Sequence, residues 1–469
     1  MSDEPLRPAN PDLFEGLKSA IGEEAVSVSG AERHLHSQDE STFPAVVPDL
    51  VVWPQSTHDV VQIVKLAGEY GEPITGWGAA SSSEGHAIPV RHGIVVDFAR
   101  MNRILAVHAE DFQTTVQPGV LRLDLEKHLS QYGLFFAPDP GANASIGGMI
   151  ANNAAGIRAH KYGATRSNVV ALEVVLANGD VIKTGSRSVK QSSGYDLTRL
   201  MIGSEGTLGL VTQATLKLHP VPQHFATAVV GFGTVAEAAH AAYGIIGAGL
   251  APAALEILHQ NHIRYMNEDD GSDWPVLPSL MIEFTGSSEV ATSDALDEAR
   301  IICGDAGAKS FTSGLGHQDR SEMWTMRHGA RYRYRRRAPG YVWSAIDVSV
   351  PISHMPQIIA YAELCATELG LPGEVLGHAG DGNIHMGIGY DPDDTDEQRR
   401  AGDLSRLIIE RALELEGTAS GEHGIGLGKR KYMVAEHGAP AVEAMRAIKK
   451  ALDPQNLLNP DKVLPQPPV

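Results

Sequence analysis

Ile74-Thr75-Gly76-Trp77-Gly78-Ala79-Ala80-Ser81-Ser82-Ser83-Glu84-Gly85 is the stretch on which the fold turns. An apolar start leads into Gly76-x-Gly78, and Asp97 follows about twenty residues on, the spacing of a dinucleotide fingerprint. The context refuses that reading. Such a fingerprint opens a helix, and the chain from Ser81 to Gly93 carries a serine run, Gly85, Pro89 and Gly93, which do not make one. What remains is a loop whose backbone N–H groups and serine hydroxyls wrap a pyrophosphate directly. The plain alternative is an ordinary Gly/Ser surface loop.

Upstream, Leu13, Phe14, Leu17 and Ile21 give a short amphipathic helix over 12–22, and Leu50 to Trp53 a brief strand. Thr57 is placed to cap a helix that buries Val60, Val61, Ile63, Val64 and Ala67. Downstream come the strand Ile94–Asp97 and a helix over 121–132. The small-residue block Pro138-Asp-Pro-Gly-Ala-Asn-Ala-Ser-Ile-Gly-Gly-Met149 follows, and then Asn152 to Gly156. Such blocks let backbone approach something flat or bulky. Asn178-Gly179 between apolar runs predicts a hairpin. Gly203 to Gly209 is a third small-residue loop before a strand to Leu218, and the prolines at 220 and 222 mark a domain boundary. Beyond it, alternating strands and helices to Ile302 predict an α+β sheet with helices on one face.

A second centre lies at Gly377-His378-Ala379-Gly380-Asp381-Gly382-Asn383-Ile384-His385. Gly-Asp-Gly between apolar runs reads as a tight hairpin that sets His378 and His385 roughly opposite, with Asn383 on the face of His385. Ser420-Gly-Glu422-His423-Gly-Ile-Gly426 adds a carboxylate and a third histidine. Two histidines and an acid make a common open ligand set for a divalent metal; the bland alternative is turn and packing residues. Residues 320–337 form a basic, aromatic stretch that could gather anions, although for Arg335–Arg337 a solvated helix face is the better reading.

The bulk numbers narrow the classes. At 469 residues the chain can hold two or three domains. A net charge of −19 argues against nucleic acid. Cys303 and Cys365 are the only cysteines, too few for a cysteine-held iron–sulfur cluster or a disulfide framework. No apolar run reaches the roughly 18 residues of a membrane span, and the polar, acidic start lacks a leader pattern, so a cytoplasmic protein is expected, with peripheral membrane attachment allowed.

Together these blocks resemble the FAD-linked oxidase family of the vanillyl-alcohol-oxidase fold. The branch is that of cytochrome-type D-lactate dehydrogenases, glycolate oxidase D subunits and D-2-hydroxyglutarate dehydrogenases. The likeness runs from Asp49 to Pro465 and is carried by Pro138–Met149, Gly203–Gly209, Gly377–His385, Ser420–Gly426 and Leu452–Val463. It implies an α+β protein: an N-terminal helical segment (1–47), an FAD-binding domain of two α+β subdomains (48–220) and a cap (221–425) with an antiparallel sheet covered by helices. A C-terminal segment (426–469) would return to the FAD domain. FAD contacts would come from Gly78, Ala79, Ser81, Ser82, Ser83 and Gly85 at the pyrophosphate, and from Pro138, Gly141, Ala144, Ser145, Gly147, Gly148 and Asn152 at the flavin. Gly206 and Val211 would serve the adenine and ribose. The family usually has glycine near Ala80 and threonine near Ser81.

The resemblance further implies that His378, His385 and Glu422 hold zinc or manganese and that His423 is the base. Arg327 would fork onto the substrate carboxylate, and Asn383 would orient the hydroxyl or a ligand. The reaction implied is oxidation of a D-2-hydroxy acid by hydride transfer to flavin. The hydroxyglutarate branch carries a lysine near Ala345 that is absent here, which favours a small acid such as D-lactate; Arg331, one helical turn from Arg327, could instead meet a distal anion. Expected partners are that acid and an electron acceptor (cytochrome, quinone or electron-transfer flavoprotein); a homodimer is allowed. The rivals are an FAD-dependent alkyl transferase of the same fold, a metal hydrolase and a non-catalytic binding protein.

Overall fold

The computed structural model describes residues 6–466, except for the side chains of His328, Arg331 and Tyr332. The chain divides into two compact units. The first runs to Ala155, resumes at Ala164–Pro220 and takes up the chain again from His423; the second is Gly156–Gly163 with Val221–Glu422. The cap boundary drawn from sequence at 425 therefore falls three residues late, and the excursion at 156–163 left no sequence signal. The N-terminal segment is not separate either, because Leu13 and Leu17 of helix Pro11–Ile21 sit in a core of the first unit.

The first unit contains two main sheets. One has the strand order Val26–Ser27, Leu50–Val52, Ile94–Asp97, Ile74–Trp77, with the last three parallel. Parallel neighbours need a crossover, and helix Thr57–Tyr70 supplies it, burying Val60, Ile63, Val64 and Ala67 against Leu50, Ile74 and Ile94. Its N-cap is Ser56, in a reciprocal capping box with Asp59, and not Thr57, whose hydroxyl instead donates to Glu173 at 2.7 Å. The other sheet is antiparallel, in the order Ile104–His108, Gln113–Val116, Leu210–Lys217, Val169–Val175, Val181–Gly185. Its last hairpin turns at Asn178-Gly179, where Gly179 has φ +83°. The C-terminal tail closes on this unit: Ile74 N–H donates to the Leu457 carbonyl and Asn459 N–H to the Ile74 carbonyl, both at 2.7 Å.

The second unit is built on a seven-stranded antiparallel sheet, ordered Ser310–Leu315, His224–Gly231, Ser279–Gly286, Ala254–Leu258, Gly373–His378, Asn383–Tyr390, Val342–Ser349. Every residue of the central strand Ala254–Leu258 is buried, so both sheet faces are covered. Helices on one face were expected. The missing layer includes helix Gln260–Asp270, whose Ile263 and Met266 pack with Met323 and Trp324 onto Val229, Ala254, Leu258 and Met281. So polar a helix left little periodic apolar signal to read.

Candidate active site

In the first unit, strand Ile74–Trp77 delivers the chain into the loop at Gly78. A Cβ on Gly78 would collide with Ser145 Oγ, so only glycine lets this loop lie against Ser145, which caps helix Ile146–Asn152 by accepting from Gly148 N–H at 3.2 Å. The N–H groups of Ala79 to Ser83 donate to no backbone acceptor among the described residues. A row of unclaimed N–H groups in a small-residue loop fits a pyrophosphate. Ala80 holds φ +51°, the left-handed region, where the family's usual glycine would be unstrained.

The hydroxyls behave differently from the sequence expectation. Ser82 Oγ donates to Asp39 at 2.6 Å and meets His86 Nδ1 at 2.9 Å, while Ser83 Oγ lies 3.3 Å from His423 Nδ1. Both are turned to side-chain partners, which leaves Ser81 as the serine without a side-chain hydrogen bond among the described residues.

The other expected cofactor positions divide by packing. Gly147 donates its N–H to the Pro118 carbonyl at 2.8 Å and its Cα lies so near Pro118 that a Cβ would have no room; the glycine answers to the fold itself. Gly85 has φ +79° and backs onto Leu427. Gly141 and Gly206 face open space, and Gly148 has only Ser145 Oγ beside it. Pro138 is buried, Ala144 and Val211 pack at the edge of a core, and Asn152 Nδ2 donates to the His423 carbonyl at 3.5 Å.

In the second unit, His378 closes strand Gly373–His378 and His385 sits within Asn383–Tyr390. The register puts His378 opposite Asn383 and His385 opposite Leu376, so the two histidines are diagonal partners on one face, not directly opposed; their ring centroids lie 5.2 Å apart. The turn is also longer than a two-residue hairpin: a 3-10 turn Ala379–Asp381 ends at Gly382, φ +68°, where a Cβ would strike the Val350 carbonyl. Glu422 completes the group, its Oε1 being 3.3 Å from His378 Nε2 and 3.2 Å from His385 Nε2.

Those three ligand atoms lie within 4.8 Å of one another. Bonds of roughly 2.0–2.2 Å to a shared tetrahedral ion put ligand atoms about 3.4 Å apart, so the spacing of the group is compatible with a divalent ion. Behind it stand two acids that sequence reasoning did not single out. Glu256, fully buried, takes His378 Nδ1 at 2.5 Å. Asp347, also fully buried, accepts from Glu422 N–H and Ser420 Oγ at 3.0 Å and from Asn383 Nδ2 at 2.7 Å. A carboxylate behind a histidine fixes its tautomer and orientation for a metal. Burial opposes both charges, yet the mutual attraction wins: His378 is held well above its ordinary pKa, and Glu256 is held below its own by His378 and Arg327. Glu422 is likewise depressed, the pull of the two histidines outweighing its burial. A signal for Glu256 was present in the sequence, since a lone acid in the apolar strand Ala254-Leu-Glu-Ile-Leu258 must find a partner when buried.

Three expectations change here. Asn383 gives its amide to Asp347 and, at 2.9 Å, to the Val348 carbonyl, so it braces the ligand loop. Arg327 is buried with its Nε and Nη2 on Glu256 Oε2 at 3.1 and 2.5 Å. Three arginines of the basic stretch are spent internally: Arg333 pairs with Asp270, Arg336 with Asp269, and Arg337 with Glu268 and Asp269, at the acidic end of helix Gln260–Asp270. The side chain of Arg331 lies outside the described residues.

A backbone cradle suited to a flavin nucleotide and a His–His–Glu group define the class as an FAD-dependent oxidoreductase. The family model for the C-terminal domain of FAD linked oxidases matches residues 221–463, and that for an FAD binding domain matches residues 48–185. The chain belongs to the FAD-linked oxidase family. It is 40% identical over 456 residues to a mitochondrial D-lactate dehydrogenase [cytochrome] of Arabidopsis thaliana, covering 97% of this chain and 80% of the relative. A probable mitochondrial D-lactate dehydrogenase of Danio rerio is 40% identical over 96% of this chain and 91% of its own. The glycolate oxidase subunit GlcD of Bacillus subtilis is 35% identical over 96% of each. Among solved structures, p-cresol methylhydroxylase with substrate bound superposes with a TM-score of 0.79 at 18% identity over 96% of each chain, which establishes the vanillyl-alcohol-oxidase fold.

These relatives overturn the expected location. The D-lactate dehydrogenases of plant, fish and two yeasts are named as mitochondrial, and the cytoplasmic expectation does not stand against them. The cytoplasmic expectation came from the first residues of the sequence, and their polarity does not determine where a folded enzyme resides.

Proposed function

We propose that the protein is a metal-assisted dehydrogenase of D-2-hydroxy acids, with D-lactate the substrate that best fits. The observation that carries this reading is the His378–His385–Glu422 group with Glu256 behind it, in a chain so similar to D-lactate dehydrogenases. Bound FAD supplies a hydride acceptor, and a divalent ion held by the three ligands supplies Lewis-acid polarisation of a bound hydroxyl.

The chain's own residues do the rest. The His423 imidazole takes the hydroxyl proton as general base. Arg327 orients the substrate carboxylate through its Nη1–Nη2 edge, since Glu256 engages the Nε–Nη2 edge. Asn383 acts at one remove, through Asp347, on the Glu422 loop. Along the ligand face from Asp347 and His385 the next cross-strand pair is Ala345 with Gly387, which brings no cation to a second carboxylate and supports a small monocarboxylate. The electron acceptor proposed is a cytochrome, as the name of the Arabidopsis thaliana relative has it.

The test is anaerobic mixing of metal-loaded holoenzyme with D-lactate, L-lactate, glycolate and D-2-hydroxyglutarate while the flavin absorbance is followed. Bleaching by D-lactate and not by L-lactate is expected. Bleaching by D-2-hydroxyglutarate alone would move the assignment to the dicarboxylate, and no bleaching by any acid would sink the dehydrogenase reading.

A further inference from the structure

The loop that carries His423 is glycine-rich, with Gly424 at φ +84° and Gly426 at φ +49°, and such a loop does not hold a side chain in place by itself. Something must fix it, and the residue placed to do so is one that the sequence buried among supposed cofactor contacts. We infer that Glu205 is a positioning residue for His423, its carboxylate clamping the chain immediately beyond the base. Glu205 Oε1 accepts from Ile425 N–H at 2.6 Å and Oε2 from Gly426 N–H at 2.9 Å. His86 Nε2 stands 3.2 Å from the same Oε2.

Several observations mark this as a built clamp. Glu205 is 4% exposed yet ionised, its burial offset by His86 and the two N–H groups. Its backbone sits at φ +54°, a strained setting for a residue with a Cβ, and strain of this sort persists only where the surroundings enforce it. They do: Glu205 N–H donates to the Ala151 carbonyl at 2.9 Å, and Asn459 Nδ2 donates to the Glu205 carbonyl at 2.7 Å. The loop in turn is fitted to the clamp. A Cβ on Gly424 would come within 2.7 Å of His86 Nε2 and 2.9 Å of Glu205 Oε1. Beside them, His86 Nδ1 is tied to Ser82, and neighbouring Ser83 meets His423 Nδ1. Two of the three serines of the Gly/Ser loop, Ser82 and Ser83, thus belong to the support of the base.

The inference rests on reading His423 as the base, so the test separates the two. Glu205→Gln, His423→Ala and the double variant are prepared as FAD holoenzymes, and flavin reduction is measured with the acid that bleaches the wild type. Glutamine keeps the size but presents an amide NH2 toward one of two N–H donors. Glu205→Gln is expected to slow reduction about 10- to 100-fold, the scale of an ångström-level misplacement of a catalytic group, with FAD content and KM near wild type. In the His423→Ala background the same substitution is expected to cost less than about threefold, because the group it positions is gone. Equal cost in both backgrounds, or loss of FAD from Glu205→Gln, would overturn the clamp.

If His423→Ala alone reduces flavin at the wild-type rate, the base reading falls, and the clamp is judged by carbethoxylation of His423 followed by peptide mass analysis. Several-fold faster labelling in Glu205→Gln would support it; an unchanged rate would overturn it. Should Glu205→Gln fail to fold, Glu205→Asp keeps the charge and shortens the reach, and must show a smaller loss with the same dependence on His423.

Discussion

Replacing Glu256 by glutamine tests how the proposed metal group is supported. The carboxylate serves two donors at once: Oε1 meets His378 Nδ1 at 2.5 Å and Oε2 meets Arg327 Nε and Nη2 at 3.1 and 2.5 Å. An amide offers one acceptor oxygen. Turned toward Arg327, it points NH2 at the protonated Nδ1 of His378; turned the other way, it leaves a buried guanidinium without its counter-charge. A charge-assisted hydrogen bond lost in a buried site costs on the order of 1.5–3 kcal/mol, and breaking a buried pair about 3–5 kcal/mol. Loss of a carboxylate behind a ligating histidine typically weakens metal binding about 10- to 100-fold, or about 1.4–2.7 kcal/mol.

The assay is titration of metal-stripped protein with Zn2+ or Mn2+ against a competing chelator, with FAD content measured alongside. Glu256→Gln is expected to raise the metal Kd by about 10- to 100-fold. FAD content should stay unchanged, because Glu256 belongs to the second unit and the pyrophosphate loop to the first. Wild-type metal affinity in this variant would refute the reasoning, as would metal loss that simply follows global unfolding.

Other outcomes follow from single positions. Gly421→Ala puts a Cβ onto Asn383 Nδ2 beside Asp347, so it should displace Glu422 and weaken metal binding at least tenfold, read by the same titration. Asn383→Ala should lower the free energies of unfolding and of metal binding by about 1–3 kcal/mol each while leaving KM near wild type; a KM rise alone would make it a substrate contact instead of a brace. Ala80→Gly relieves the left-handed backbone at φ +51° and should stabilise the protein by about 0.5–1 kcal/mol in thermal unfolding. His219 is pulled down to about 4 by burial and by Lys217, with Asn168 Oδ1 at 2.9 Å from its Nε2. The fold holds its neutral form, so its contribution is complete above pH 6.5 and is lost as pH falls from there toward 4; His219→Gln should remove on the order of 1–2 kcal/mol of that pH dependence, read as melting midpoints at pH 7 and pH 5.

How much of this was legible depends on range. Helix Thr57–Tyr70, the Asn178-Gly179 hairpin and the ligand strands follow from periodicity and turn chemistry acting over a few residues, and these were readable. The non-helical Gly/Ser loop was readable too, because glycine, proline and serine forbid a helix whatever surrounds them. His378, His385 and Glu422 stood out because ligand chemistry restricts which residue types can occupy such positions.

What only the tertiary structure decided is which charges are spent on one another. Arg333, Arg336 and Arg337 look like an anion site along the chain, yet residues 268–270, more than sixty positions away, neutralise them. Glu256 lies 122 positions from His378, and Glu205 lies 220 from Ile425. Sequence patterns report on neighbours within a turn or two, because that is how far local sterics and capping reach. The pairing of a buried charge is set by which strands become adjacent, and that is known only once the chain has folded.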